Sequence, residues 1–144
     1  RFLLVTASPP YFDVSAGIVP ADSQKAHARF ELRGDVRDYA AAARRHVADH
    51  GLFVLCFPFP QKERALAALS GEGFTRIAPR DVVPREGLPA LFSVFACRVG
   101  PPDRSESAVD PPFVVRDADG AHTEDMQRVR ARFGWPAPPP PVRG

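Results

Sequence analysis

Cysteine is scarce in this sequence. Cys56 and Cys97 are the only two, each inside an apolar run, with no Cys-x-x-Cys spacing and no histidine at a matching interval. That excludes a disulfide framework and a cysteine-built zinc site, and leaves two buried, reduced thiols of the kind a cytoplasmic protein carries. Lysine is equally scarce: Lys25 and Lys62 stand beside 17 arginines. A strong excess of charge of one sign is missing too. A net charge of +2 says little about a nucleic-acid partner, because the distribution of charge matters more than the total. No apolar run approaches the roughly 20 residues of a membrane span. The only methionine is Met126, and Arg1 already lies inside a strand pattern, so the chain reads as truncated. Its 144 residues suggest one domain.

What is present begins at the first residues. Phe2-Leu3-Leu4-Val5-Thr6 reads as a buried central strand, followed by Ala7 and then Ser8-Pro9-Pro10-Tyr11-Phe12. Pro10 fixes its own φ and pushes Pro9 toward an extended backbone. The loop is therefore stiff. It holds the Ser8 hydroxyl and the carbonyls of Ser8 and Pro9 at the carboxyl end of the strand, where open α/β sheets bind ligands. A planar amine could donate its N–H bonds to these oxygens while its ring stacks on Tyr11, a contact worth roughly 1–3 kcal/mol. Acceptors aimed at the N–H groups turn the nitrogen lone pair toward an electrophile, which is catalysis by positioning. Taken alone, the same four residues also suit a proline-rich turn with Tyr11 as packing.

Beyond Tyr11 a long loop runs to about Gly34 and gathers Lys25, His27, Arg29 and Arg33, either as a solvated face or as a lid over the Ser8 pocket. Asp35 to His50 has helical periodicity, with Val36, Tyr39, Ala40, Ala43 and Val47 on one face, Asp35 as N-cap and Gly51 as stop. His46 and His50 have the spacing of a helical metal pair, but no third ligand is evident. Leu52 to Phe57 reads as a strand buried on both faces. Gln61 to Ser70 reads as a second helix with Ala65, Leu66 and Leu69 inward, closed by Gly71 and Gly73. Phe74 to Val83 reads as a strand broken at Pro79. Pro84 to Pro89 is a turn, and Ala90 to Val99 is a strand. The short link predicts that these last two strands pair antiparallel. Pro101 to Pro112 reads as a linker, Phe113 to Arg116 as a short strand, and Asp117 to Gly120 as a turn. Thr123 caps a helix to about Phe133, and a proline-rich tail follows, with disorder expected from its composition.

Ser-Pro-Pro-Tyr after an apolar strand resembles the (Asn/Asp/Ser)-Pro-Pro-(Tyr/Phe/Trp) motif of class I S-adenosylmethionine-dependent methyltransferases that act on amino nitrogens. Three later segments are similar to the bacterial tRNA adenine-N6 branch of the methyltransferase small domain type. They are Ala28-Arg29-Phe30-Glu31, Gly51-Leu52-Phe53-Val54, and Val83-Pro84-Arg85-Glu86-Gly87-Leu88-Pro89. The resemblance covers residues 1 to about 99. That branch usually carries Asn where this chain has Ser8, and Ser-Pro-Pro-Tyr also occurs in DNA cytosine-N4 methyltransferases.

The resemblance implies an α/β fold: a partial Rossmann-like class I methyltransferase sheet, strands four to seven with the last antiparallel, and an irregular C-terminal extension. Residues 1–99 would form the C-terminal half of the methyltransferase domain, and residues 100–144 a linker, short helix and tail. It implies methyl transfer from S-adenosyl-L-methionine to an exocyclic amino nitrogen, best matched by adenine N6 in tRNA. Ser8, Pro9, Pro10 and Tyr11 would be catalytic. Phe12, Lys25, Arg29 and Arg85 would bind substrate, and Ser8 would also touch the cofactor. No metal and no membrane are implied. The Gly-rich turn and acidic residue that hold the cofactor in this family would lie outside these residues, so this piece by itself is expected to be inactive. Two alternatives stay open: another amino-nitrogen methyltransferase (DNA cytosine or adenine, rRNA guanine, protein glutamine), or a non-catalytic α/β remnant.

Overall fold

Two alanine-bearing helices and one strand rich in phenylalanine set the architecture. The computed structural model describes residues 1–12, 22, 24, 26, 29–32, 34–100 and 110–136. Among these, the strands are β1 (Phe2–Ala7), β2 (Val47–Pro58), β3 (Arg76–Val83), β4 (Phe92–Arg98) and β5 (Phe113–Val114). The helices are α1 (Val36–His46), α2 (Lys62–Gly71), entered through a 3-10 turn at Phe59–Gln61, and α3 (Glu124–Arg132). Lys25, the rest of residues 13–21, and most of the 101–112 linker fall outside the described residues.

The sheet order is β1-β2-β4-β3-β5. β1 and β2 are parallel, β4 runs antiparallel between β2 and β3, and β5 adds parallel to β3. This is the expected strand-helix-strand-helix-strand-strand order with its closing antiparallel pair. Because β4 reverses between them, β1, β2 and β3 all point the same way, and their carboxyl ends share one edge of the sheet.

One face of the sheet makes the core. Phe53, Leu55 and Phe57 of β2 alternate inward with Phe95 and Cys97 of β4, against Val36, Ala40 and Ala43 of α1 and Ala65, Ala68 and Leu69 of α2. Small alanines let the helices sit close to a sheet whose large side chains fill the gap. Leu52, Val54 and Cys56 point the other way and are only half-buried. The expectation that β2 is buried on both faces is therefore corrected: both helices pack on the same side.

β1 is corrected in the same sense. It pairs in parallel with β2 as expected, from Leu4 opposite Leu52 to Ala7 opposite Leu55. It is an edge strand here and not a central one. Phe2, Leu3 and Leu4 are 62%, 77% and 57% exposed, because no described strand lies on its other side.

Other local expectations also differ. α1 ends at His46, not His50, since Val47 turns extended and pairs with Phe2. His46 and His50 therefore do not share a helix. Asp35 caps α1 as expected, accepting from the N–H groups of Arg37 and Asp38, while the Asp38 side chain accepts from the Asp35 N–H. Tyr39 lies off the buried stripe and is 39% exposed. Pro79 does not break β3: it stays in register opposite Phe95. β5 reaches only Val82 and Val83, so the missing N–H of Pro79 falls along the open side of the strand, where proline is tolerated. Finally, the long segment before α1 is not all loop: the Ala26 and Phe30 N–H groups donate to the Asp22 and Ala26 carbonyls at helical spacing, and both residues are buried.

The C-terminal segment docks on the β3 side. The Val115 N–H donates to the Val83 carbonyl at 2.9 Å, and the Glu86 N–H to the Arg116 carbonyl at 2.8 Å. Thr123 caps α3 as expected, accepting from the Met126 N–H. Gly134, at φ +67°, closes α3: its N–H donates to the Ala131 carbonyl and that of Trp135 to the Arg130 carbonyl, the two bonds of a Schellman turn. Trp135 then stacks on Phe133.

Gly51 is not a helix stop but a point of close approach within β2. A Cβ there would lie 2.7 Å from Val47 Cγ2, 2.9 Å from the Phe2 carbonyl oxygen and 3.0 Å from that of Ala48. Two of these are backbone atoms that cannot swing aside. Gly51→Ala should therefore destabilise the fold by about 1–3 kcal/mol, read as a lower denaturant midpoint. An unchanged midpoint would show that the β1–β2 junction has slack.

A half-buried ion pair ties α2 to β3 and β4. Lys62 Nζ lies 2.7 and 2.9 Å from the two Asp81 carboxylate oxygens, and Ser93 donates to one of them at 2.6 Å. Burial works to raise the Asp81 pKa, but the Lys62 and Ser93 bonds and the Lys62 charge outweigh it and hold the carboxyl below its ordinary 3.8. A lowered folded-state pKa stabilises above the unfolded value, and that contribution is lost as pH falls through the folded one. Asp81→Asn should thus lower the melting temperature at pH 7 and narrow its gap to the unmutated protein below about pH 3.8. A gap independent of pH in thermal melts would contradict this.

Candidate active site at the carboxyl edge of the sheet

Ser8 to Phe12 leave β1 at the carboxyl edge. The rings of Pro9 and Pro10 are buried, and the Ser8 side chain is exposed. Two prolines with packed rings give the turn little freedom, so Ser8 and Tyr11 are presented by a rigid support. The N–H groups of Tyr11 and Phe12 both donate to the Arg29 carbonyl, at 3.3 and 3.0 Å, and the Glu31 N–H donates back to the Phe12 carbonyl at 3.0 Å. Arg29 thus meets the motif through its main chain, and its side chain stays exposed.

Aromatic contacts complete the placement. The Tyr11 ring lies 4.6 Å from that of Phe12 and meets Phe57 edge-on at 6.5 Å, while Phe12 leans on Phe30 at 5.7 Å. Tyr11 also packs against the core cluster, and Phe12 is 41% exposed. The two rings open onto a cavity of about 470 Å³ whose other walls include Pro58, Gln61, Leu91 and Phe92. This cavity lies where the ends of β1 and β2 meet the start of β4. It is apolar and aromatic, with few polar groups, which is the make-up of a pocket for a flat organic ligand.

Sequence reasoning missed three residues behind the motif. The Gln61 amide nitrogen donates to the Tyr11 carbonyl at 2.9 Å. Arg64 donates to the Gln61 amide oxygen at 3.0 Å, and grips the Glu31 carboxylate with both terminal nitrogens at 2.6 and 3.0 Å. It also reaches Asp35 at 3.2 Å. The Glu31 hydrogen bond raises the Arg64 pKa, against burial, and Asp35 adds to it. Burial pushes the Asp35 pKa up, but its backbone bonds to Arg37 and Asp38 and the Arg64 contact bring it below the ordinary value. The signal in the sequence was Arg29-Phe30-Glu31, read there as part of a resemblance and not as a support for Tyr11.

Arg85 lies on the same edge of the sheet but three strands from β1, roughly 14 Å at ordinary strand spacing. Its guanidinium donates to the Ala118 carbonyl, which ties the β3–β4 turn to the C-terminal segment. The structure therefore gathers Ser8, Pro9, Pro10, Tyr11, Phe12 and Arg29 into one cluster and sets Arg85 apart from it.

The thiols offer no nucleophile. Burial raises the pKa of Cys56, which borders the cavity, and pushes that of Cys97 up to about 12. Gly71-Glu72-Gly73 ends a helix, with the Glu72 N–H on the Ala68 carbonyl, and is no cofactor turn. Among the described residues no group of three or more His, Cys, Asp or Glu side chains could hold a metal, and no helix is long and apolar enough to cross a membrane. A second cavity of about 530 Å³ lies between the half-buried sheet face and the C-terminal segment, lined by Ala78, Val82, Val94, Ala96, Phe113 and Met126. Among the described residues its lining carries two charged groups, Arg80, held by the Pro111 carbonyl and Asp125, and the exposed carboxylate of Asp110.

No protein-family model matches the chain, and no curated protein sequence does. Among solved structures, a predicted O-methyltransferase from Agrobacterium tumefaciens superposes with a TM-score of 0.65 at 17% identity. The match covers 91% of this chain and 51% of that one, so this chain spans about half the length of that protein. The complex of M1.HpyAVI with SAM superposes at a TM-score of 0.41 and 11% identity, over 89% of this chain and 64% of that chain, too low a score to carry an argument. Taken with the strand order and the reversed β4, the first likeness shows the fold: mixed α/β, with a partial Rossmann-like sheet of the class I methyltransferase type.

Proposed function

We propose that this chain carries the acceptor-binding half of an S-adenosylmethionine-dependent methyltransferase that modifies an exocyclic amino nitrogen, with adenine N6 in tRNA as the favoured substrate. The observation that carries the reading is the rigid Ser8-Pro9-Pro10-Tyr11 turn at the carboxyl edge of β1, opening beside Tyr11 and Phe12 onto an aromatic cavity of about 470 Å³. Residues 1–99 are the half-domain, and residues 100–144 are a linker, short helix and tail, of which Phe113–Arg116 dock beside β3.

In this reading the Ser8 hydroxyl oxygen and the Pro9 carbonyl accept the two amino hydrogens and aim the nitrogen lone pair outward. Tyr11 stacks on the base, and Phe12 walls the pocket. S-adenosylmethionine, when bound, supplies an electrophilic sulfonium methyl group. The exposed Ser8 hydroxyl at the end of β1 is the donor through which this chain would meet it. An amine favours this site over an alcohol. A hydroxyl acceptor must lose its proton to a base, and among the described residues no carboxylate or imidazole lines the cavity, whereas an aromatic amine reacts once its lone pair is oriented.

The preference for tRNA rests on the resemblance of the sequence to the tRNA adenine-N6 branch. Lys25, Arg29 and Arg85 are assigned to phosphates around the pocket mouth. Arg29 supports this with an exposed side chain beside Phe12. Arg85 shares the edge of the sheet but is partly committed to Ala118.

Three measurements on the full-length protein test the reading. Tyr11→Ala should lower transfer efficiency several-fold to a hundred-fold, the loss of one stack at roughly 1–3 kcal/mol, and leave cofactor affinity unchanged. Equal loss of both would move Tyr11 out of the acceptor pocket. Comparing tRNA, duplex DNA and a small phenol as acceptors separates the substrate classes, and methylation of the phenol alone would overturn the amine assignment. Arg29→Ala should weaken RNA binding alike across sequences and reduce the salt slope by about 0.7–0.9, as one lost phosphate contact does. An unchanged slope would return Arg29 to a main-chain role.

A further inference from the structure

Gln61 occupies the N-cap position of α2, yet its side chain caps none of the backbone N–H groups of the first turn. That position ordinarily goes to a short polar residue that caps the first turn. Gln61 instead reaches 50 residues back along the chain to the Tyr11 carbonyl. Its orientation is decided by Arg64. A guanidinium has donors only, so the Gln61 oxygen must face Arg64 and its nitrogen must face Tyr11.

The contacts form a closed circuit. Gln61 holds the Tyr11 carbonyl, Arg64 holds Gln61, Glu31 holds Arg64 with both carboxylate oxygens, and the Glu31 N–H returns to the Phe12 carbonyl. The Glu31 side chain is only 12% exposed and that of Arg64 38%, so this link is shielded from water on its carboxylate side. Asp35, the cap of α1, braces Arg64 from the other side. Gln61 also lines the cavity that Tyr11 borders.

We infer that Gln61, locked by Arg64 and Glu31, is a positioning residue: it sets the main chain of Tyr11, and through it the face that Tyr11 turns to the acceptor. This rests on the methyl-transfer reading above. Tyr11 and Phe12 have few rotations left once both their N–H groups sit on Arg29 and both their carbonyls are held, by Gln61 and Glu31. The prolines stiffen the turn from one end and the circuit stiffens it from the other.

The test compares Gln61→Glu and Gln61→Met in the full-length protein. Glutamate keeps the shape and the Arg64 contact but points an acceptor at the Tyr11 carbonyl. Methionine keeps the length and loses both bonds. Both should lower kcat for the acceptor roughly three- to tenfold, the fold-change expected for one lost hydrogen bond, with KM for S-adenosylmethionine unchanged. Amide hydrogen exchange at Phe12 should quicken in both, with α1 and α2 amides as protected as before. Unchanged exchange at Phe12 would overturn the inference, and so would faster exchange with unchanged kcat. If the unmutated protein methylates no amino acceptor while Phe12 exchange still responds to both variants, the grip of Gln61 on Tyr11 is upheld and the functional reading alone falls.

Discussion

The fold depends on one packing arrangement: Phe53, Leu55 and Phe57 of β2 against Ala40, Ala43, Ala65 and Ala68 of the two helices. Large side chains on the strand and small ones on the helices bring the sheet and the helix layer close together with the space between them filled. β2 is also hydrogen-bonded on both sides, parallel to β1 and antiparallel to β4. A strand held by ladders along both edges and by burial on one face cannot shift without breaking all three, because a slip of one residue would turn Phe53, Leu55 and Phe57 away from the helices.

The candidate site inherits its rigidity from that strand. Phe57 is the last of the buried aromatics in β2, and it meets Tyr11 edge-on at the point where β2 ends and the 3-10 turn begins. Gln61 and Arg64 follow within one turn of α2. The helix that seals the core thus delivers, from its first residues, the side chains that hold the Ser8–Tyr11 turn. Core and site are consecutive stretches of one element pair, which is why a polar network of four residues can sit so near the apolar interior with each member satisfied.

The two faces of the sheet have different fates. The face toward α1 and α2 is closed. The other, with Leu52, Val54 and Cys56 half-buried, is covered by described residues only near β3, where Phe113, Val115 and Met126 of the C-terminal segment lie over it. On the β1 side the apolar row Phe2, Leu3 and Leu4 is exposed. An apolar strand edge with unpaired backbone groups is a template for another strand. The charges at the other end of the sheet serve the docking of the C-terminal segment: Arg80 and Arg85 bind the main-chain carbonyls of Pro111 and Ala118.

Local pattern alone determined much of this chain. The apolar periodicity of α1, its Asp35 cap, the apolar run of β4, the Thr123 cap of α3 and the stiffness of Ser8-Pro9-Pro10-Tyr11 are all properties of neighbours within a few residues, so they are legible without a fold. The short β3–β4 link predicted an antiparallel pair for the same reason. Tertiary structure decided what depends on distant partners. Whether Phe2–Ala7 and the outer face of β2 are buried turns on which elements lie beside them, and the run of apolar residues is the same in either case. Pro79 keeps its place in β3 because that side of the strand is open, which no spacing reveals. Gly51 reads as a helix stop until Phe2 is brought against it. Gln61, Arg64 and Glu31 look like ordinary surface residues in the sequence. They become a support for Tyr11 only when the fold closes gaps of 50 and 33 residues to hydrogen-bond distance.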